Sequence, residues 1–220
     1  MIQPSTLEFL KKLKKNNNRD WFEKNKEAYK AAQADVEQTV NGIITGIRTF
    51  DKRIESTLDA KKCLFRIYRD TRFSKDKTPY KTNLGASINP GGRMAAVPGY
   101  YLHIEPGGCF LAGGMYMPPA PELAKIRQEI DYNLDEFQKL LKAKDFKKYF
   151  DGLDEIEKLK TAPKGYAKDH PALGLLQHKH FIVSANLKDA ELSSKGFVKQ
   201  ATAIFKAMHP LSLFLQRAID

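Results

Sequence analysis

A chain of 220 residues with 42% hydrophobic side chains is long enough for one domain around a sizeable core. Its two cysteines, Cys63 and Cys109, form no CxxC pair, which excludes a disulfide framework or zinc finger and suits a reducing, cytoplasmic compartment. No segment approaches the roughly eighteen consecutive apolar residues of a membrane helix, and Lys11, Lys12, Lys14 and Lys15 come too early for a secretory signal, so no membrane partner is expected.

The formal charge of +11 is unevenly spread. Residues 1–100 hold 20 basic and 11 acidic side chains, whereas residues 101–220 hold 17 and 15. A positive N-terminal half can steer an anionic partner or simply keep the surface soluble.

In chain order, residues 5–15 are expected to form a helix, with Ser5 and Glu8 at capping-box spacing and Leu7, Leu10 and Leu13 on one stripe. Asn16-Asn17-Asn18 breaks it. A long second helix is expected from Asp20, where Ala28, Ala32, Val36, Val40, Ile43 and Ile47 recur at helical spacing. Gly42 and Gly46 lower its propensity but suit close approach by another element. Cys63 to Arg69 alternates like a strand, and loop chemistry follows from Ser74 to Pro79. Tyr100–Glu105 and Cys109–Met117 read as a hairpin around Pro106-Gly107-Gly108. A two-residue turn at Gly107-Gly108 sets Ile104 opposite Leu111, His103 opposite Ala112 and Tyr101 opposite Gly114; a three-residue turn shifts that register.

Helical spacing returns from Pro121 to Phe150, residues 152–168 connect, and His180–Leu187 reads as a late strand. Phe197, Ala201, Ile204, Phe205 and Met208 mark a helix expected to stop before Pro210, with a last short helix over Leu211–Ile219. Helices and strands are segregated along the chain. The expected fold is therefore a single α+β domain over residues 1–220, a mainly antiparallel sheet packed with N-terminal and C-terminal helices.

The densest chemistry lies in RIYRDTRFSKDKTPYK, where Arg66, Arg69, Arg72, Lys75, Lys77 and Lys81 face only Asp70 and Asp76. Guanidinium forks and flexible ammonium groups suit a phosphate or carboxylate, and Phe65, Tyr68, Phe73 and Tyr80 interleave them. Asp70 is expected to orient one of the three arginines. An Arg/Asp network pinning a long loop is the structural alternative. NNNRDWFEKNKEAY, LFRIYRDTRFSKDKTPYKTNLGA, PGYYLHIEPGG and GGMYMPPAPELAKIR resemble, in order along the chain, the uncharacterised bacterial and fungal family called domain of unknown function 2461. The resemblance covers most of residues 7–130 and implies a shared α+β domain, without supplying an activity, cofactor or catalytic residue.

Tyr101, His103 and Glu105 share one face of their strand, and Gly113-Gly114 leave room for a ligand or another backbone. The leading expectation is a cleft that combines Arg66, Arg69, Arg72, Lys75, Lys77, Lys81, Tyr101, His103, Gly113 and Gly114 around a small anionic ligand. His103 is the candidate for proton transfer. Nucleic-acid binding through the basic, aromatic segment 66–81, or a protein-interaction role for the helical C-terminal half, stays open. Ser74-Lys75-Asp76-Lys77 matches SxxK, but Pro79 follows and the SDN and KTG companions are absent. His170, His178 and His180 with Asp169 lack compact ligand spacing, so no metal site is expected. Neither GxGxxG, Walker A nor GxSxG occurs, and no motif names a cofactor.

Overall fold

Alternating side chains give the sheet one apolar and one polar face, and helical stripes close only the apolar one. The computed structural model describes residues 1–220. Strands β1 (Leu84–Ile88), β2 (Gly99–Ile104), β3 (Cys109–Met115) and β4 (Phe181–Leu187) form one antiparallel sheet in sequential order. Ala86, Ile88, Leu102, Ile104, Leu111 and Val183 are buried on the face that meets the helices. Ser87, Tyr101, His103, Phe110 and Ser184 stay partly open on the other.

The helices are α1 (Pro4–Lys15), α2 (Arg19–Lys24), α3 (Lys26–Arg48), α4 (Ala60–Cys63), α5 (Ala120–Tyr132), α6 (Leu134–Lys142), α7 (Lys144–Lys147), α8 (Leu173–Leu176), α9 (Asp189–Leu192) and α10 (Phe197–Ile219). Together with the sheet they make the expected α+β architecture. The two long helices, α3 and α10, pack on each other and on β1 and β3 respectively, while α1 packs on α3 and α5 on α10. The two small residues of α3 face α10: a methyl at Gly42 would lie 3.3 Å from Val198, and one at Gly46 would overlap Thr202. No helix is long and apolar enough to cross a membrane.

Several local expectations give way to tertiary context. The N-cap of α1 is Gln3, and Pro4 rather than Ser5 opens the helix, because proline's fixed φ and missing N–H suit that first position. The second helix is split at Asn25, whose side chain donates to the Trp21 carbonyl at 2.8 Å and so competes with the helical ladder. Cys63 ends α4, and the segment after it is no regular strand. Leu64 and Tyr68 make single bridges, to Ala86 and Tyr80, and Phe65 N–H donates to the Gly85 carbonyl at 3.0 Å. This broken ribbon covers the free edge of β1, a strand the helix and strand patterns of the sequence did not announce.

The hairpin register also differs: Tyr101 pairs with Ala112, Leu102 with Leu111 and His103 with Phe110. The connection is a four-residue turn over 105–108, closed by Gly108 N–H donating to the Glu105 carbonyl at 2.8 Å. Since the shift is two residues, every side chain keeps its face. Finally, α10 runs unbroken through Pro210. An interior proline costs about 3 kcal/mol, but continuing the helix buries Leu211, Phe214 and Leu215, each worth about 1.5–3 kcal/mol, and packing wins.

Candidate functional site

The open face of the sheet forms the floor of a cleft of about 780 Å³. Strand alternation sends Gly85, Ser87, Tyr101, His103, Phe110, Ala112 and Ser184 into it. Phe65 and Lys81 close one end, from the segment leading into β1. Ala95–Val97 of the β1–β2 connection and Tyr116–Met117 beyond β3 close the other. Gly85 is the residue that shapes the floor, since a Cβ there would come within 2.6 Å of the Tyr101 hydroxyl. With only hydrogen at that position, the Tyr101 side chain reaches across β1.

Three polar side chains are linked, those of Tyr101 and His103 in β2 and of Glu105 just past its end. The Tyr101 hydroxyl lies 3.0 Å from His103 Nδ1, and His103 Nε2 lies 3.5 Å from Glu105 Oε2. The other Glu105 oxygen accepts from Thr82 Oγ1 at 3.1 Å and from Lys14 Nζ of α1 at 3.3 Å. Phe110 stacks on the His103 ring with centroids 4.6 Å apart. Burial pushes the imidazole pKa below its ordinary value despite Glu105, and it pushes the Tyr101 phenol up. Burial also opposes ionisation of Glu105, but hydrogen bonds from Thr82, His103 and Lys14 outweigh it and leave that carboxyl below its usual range. A neutral imidazole with its proton on Nε2, facing Glu105, can accept the Tyr101 proton at Nδ1.

Lys81 stands at the same end of the cleft. It is partly buried, and its ammonium, 5.5 Å from the centre of the Phe65 ring, makes neither an ion pair nor a hydrogen bond. Burial first and the Arg66 charge second lower its pKa. At the far end, Arg93 is spent on backbone, its guanidinium donating to the Lys62 carbonyl at 3.3 Å.

The remaining basic residues lie outside the cleft. Arg69 donates to Asp76 at 2.5 Å and to the hydroxyl and carbonyl of Thr78. Arg72 forks onto Asp70, with Nε at 3.0 Å and Nη2 at 2.7 Å, so Asp70 holds one of the three arginines in place. Hydrogen bonds from Thr78 N–H and then Arg69 bring the Asp76 carboxyl down to about 2, and Arg72 lowers Asp70. Lys77 donates to the Thr71 carbonyl at 2.9 Å, whereas Arg66 and Lys75 are exposed. The cleft therefore gathers Lys81, Tyr101, His103, Gly113 and Gly114 of the expected set and leaves out Arg66, Arg69, Arg72, Lys75 and Lys77. Short-range Asp–Arg pairs fold that ribbon on itself before it can reach the sheet.

The chain belongs to the family described as conserved hypothetical protein (DUF2461). The match spans residues 5–214, so the shared unit includes β2, the cleft and all but the end of α10. Neither the curated proteins nor the solved structures include a match to this chain.

Within that unit, the paired glycines serve close packing. A side chain at Gly113 would collide with Met208 of α10, and one at Gly114, whose φ is 113°, would meet the Phe181 carbonyl. Both still line the cleft through backbone. The histidines considered for a metal sit apart on different partners: His170 with Asp131 at 2.9 Å, His178 with Glu155 at 3.6 Å, and His180 accepting from Met117 N–H at 3.0 Å. That last bond holds Met117 at φ 49°, a left-handed conformation uncommon for a non-glycine residue, on the rim of the cleft. Gly85, Ser87, Met117 and Ser184 were not singled out from sequence. Alternation of Leu84, Ala86 and Ile88 against Gly85 and Ser87 was the available signal, weakened by the small side chains.

Proposed function

We propose that the cleft binds a small carboxylated or phosphorylated molecule with an apolar body, as an enzyme's substrate site. Its acid group would sit at Lys81 and His103, its body over Ala112 and Ile182 toward Met117. The observation that carries this reading is the unpaired, partly buried ammonium of Lys81 at the end of a mostly apolar cleft. Burying a cation without a counter-charge is unfavourable, so an arriving anion gains an ion pair whose desolvation is already partly met. The buried thiols of Cys63 and Cys109 suit a cytoplasmic setting for it.

The test is calorimetry on the full chain with a panel of aryl and alkyl carboxylates and phosphates. Lys81→Met, which keeps the stem and removes the charge, should weaken the binding members by roughly 10–100-fold. Ala112→Trp should fill the floor and abolish binding. Acids that bind both variants as well as the parent chain would defeat the reading.

A second reading, nucleic-acid binding by the ribbon 66–81, is favoured by one observation: Phe73 is 94% exposed, with the Arg72 guanidinium 5.7 Å from its ring centre. Exposed aromatics beside cations suit base stacking. Phe73→Ala, and separately Lys75, Lys77 and Lys81 to Ala together, should then weaken single-strand binding, the lysine variant also flattening its salt dependence. Unchanged affinity in both removes it.

A further inference from the structure

We propose that Tyr101 is a proton-transfer residue whose hydroxyl touches the cleft-bound substrate, with His103 as its proton store and Glu105 as the positioning residue. The proposal rests on the cleft being a substrate site, and it adds the chemistry done there. The substrate class is a small acid that carries, beside its carboxylate or phosphate, an ionisable O–H or an activated C–H.

Geometry carries the assignment. Tyr101 and His103 of β2 and Glu105 just past its end alternate along the chain, so their side chains run in a row from the cleft floor outward, with successive contacts of 3.0 and 3.5 Å. The row has a direction. Glu105 is held at its outer end by Thr82 and Lys14, and Phe110 fixes the plane of the His103 ring. At the inner end the hydroxyl lies over Gly85, where a side chain would displace it. Such order, with the base oriented by a carboxylate and the phenol oriented by the base, gives the phenol a defined partner for its proton.

The step balances as a double transfer. The substrate's proton passes to the Tyr101 oxygen as the tyrosine's own proton crosses to His103 Nδ1. The new imidazolium is stabilised by Glu105, and the electron pair left on the substrate is stabilised by the Lys81 ammonium at the same end of the cleft. Return of the proton from Tyr101 to a different atom of the same substrate, as His103 gives its own proton back to Tyr101, completes an isomerisation and resets the site, so no oxidant or further reactant is needed. The long His103–Glu105 contact suits this cycle, because it can shorten when the ring becomes charged.

A reagent that reports phenol activation tests the proposal without knowledge of the substrate. In 4-(fluorosulfonyl)benzoate, attack by a phenolate oxygen forms an S–O bond and expels fluoride, while the phenol proton goes to a neighbouring base. Among the nine tyrosines, peptide mapping should find Tyr101 modified fastest. Its rate should rise with pH across the imidazole titration, in the window between about pH 5 and 8. The charged group facing that ring is Glu105, just past the end of β2, which is itself held by Lys14 of α1. His103→Gln should slow Tyr101 on the order of a hundredfold and erase the pH step. Glu105→Gln should move the step to lower pH, since the carboxylate favours the imidazolium. Imidazole nitrogen NMR of the unmodified chain should show the Nε2–H tautomer, with a titration that Tyr101→Phe shifts.

Modification spread over the exposed Tyr68, Tyr116 and Tyr132 with no preference for Tyr101 would overturn the proposal. So would a Tyr101 rate that a folded His103→Gln leaves unchanged, or, should that variant not fold, an Nδ1–H tautomer in the parent chain. Uncharged benzenesulfonyl fluoride separates this proposal from the reading it rests on. If it labels Tyr101 as fast as the carboxylate reagent and with the same His103 dependence, the anion site fails while the proton-transfer site stands.

Discussion

Gly85 and Tyr101 form one device contributed by two strands. Gly85 has ordinary extended backbone, so alanine is sterically acceptable there except toward the Tyr101 hydroxyl, the mobile end of a side chain. Gly85→Ala is expected to change stability by less than about 1 kcal/mol while parting Tyr101 from His103, visible as an altered His103 titration with an unchanged melting curve. Asp51 behaves in the opposite way. It is 1% exposed and accepts from Arg53 at Nε (2.9 Å), Nη2 (2.6 Å) and backbone N–H (3.1 Å), and from the Tyr100 hydroxyl at 2.8 Å. With the Tyr100 proton directed at the carboxylate, His209 Nδ1–H donates to the Tyr100 oxygen at 2.8 Å. Burial works against this carboxylate, but Arg53 and Tyr100 hold it below its usual range. Removing it leaves a guanidinium unpaired, so Asp51→Ala should cost about 3 kcal/mol, at the low end because Arg53 keeps some solvent. Tyr100→Phe should cost about 1–2 kcal/mol. Urea unfolding of the two variants checks both, and equal losses would mean that the ion pair adds nothing beyond the hydroxyl.

Between elements, the α3–α10 contact depends on what α3 lacks. Gly46→Ala gains about 1 kcal/mol in helix propensity but drives a methyl into Thr202, and overpacking of that kind costs about 1–3 kcal/mol. A net loss of stability is expected, recovered when Thr202→Ala is added, and additive effects in the double variant would refute the contact. Much of this layer was legible in the sequence. Gly42 and Gly46 announced a close neighbour, and four-residue spacing announced α3, because burial of a helical stripe repeats the same demand along many residues. The late strand and the shared face of Tyr101 and His103 were also readable, since strand alternation survives a two-residue error in the turn. What stayed hidden was set by partners distant in the chain. Pro210 argues for a stop until the apolar surface waiting for Leu211, Phe214 and Leu215 is known. Residues 64–68 alternate as a strand does, yet they meet β1 at single points. Arg69 and Arg72 look free in sequence, and only the folded ribbon shows Asp76 and Asp70 occupying them.

For the molecule as a whole, three histidines bias stability toward neutral pH. Burial lowers the pKa of His103, His178 and His209. Between those lowered values and the ordinary histidine value near about 6.5, the unfolded chain binds more protons than the folded one, so stability rises with pH across that window. Asp51, Asp70, Asp76 and Glu105 are depressed, and their contribution is lost as pH falls below the ordinary carboxylate range toward their folded values. Asp154, raised by burial, works the other way. Melting temperature should therefore fall in two stages on acidification, the first below about pH 6.5. His178→Gln should shrink that first stage, since this ring is 2% exposed and its Nδ1 has no partner; a first stage of undiminished size would show that other groups cause it. Sheet order has a consequence for synthesis. β1, β2 and β3 are made in succession, but β4 follows β3 by 65 residues, and α10, whose Met208 fills the space at Gly113, comes after β4. A growing chain thus carries a three-stranded sheet whose β3 edge is unpaired and whose apolar face α10 has not yet closed while those residues are being made. During that interval it depends on whatever shields such surfaces in the cell.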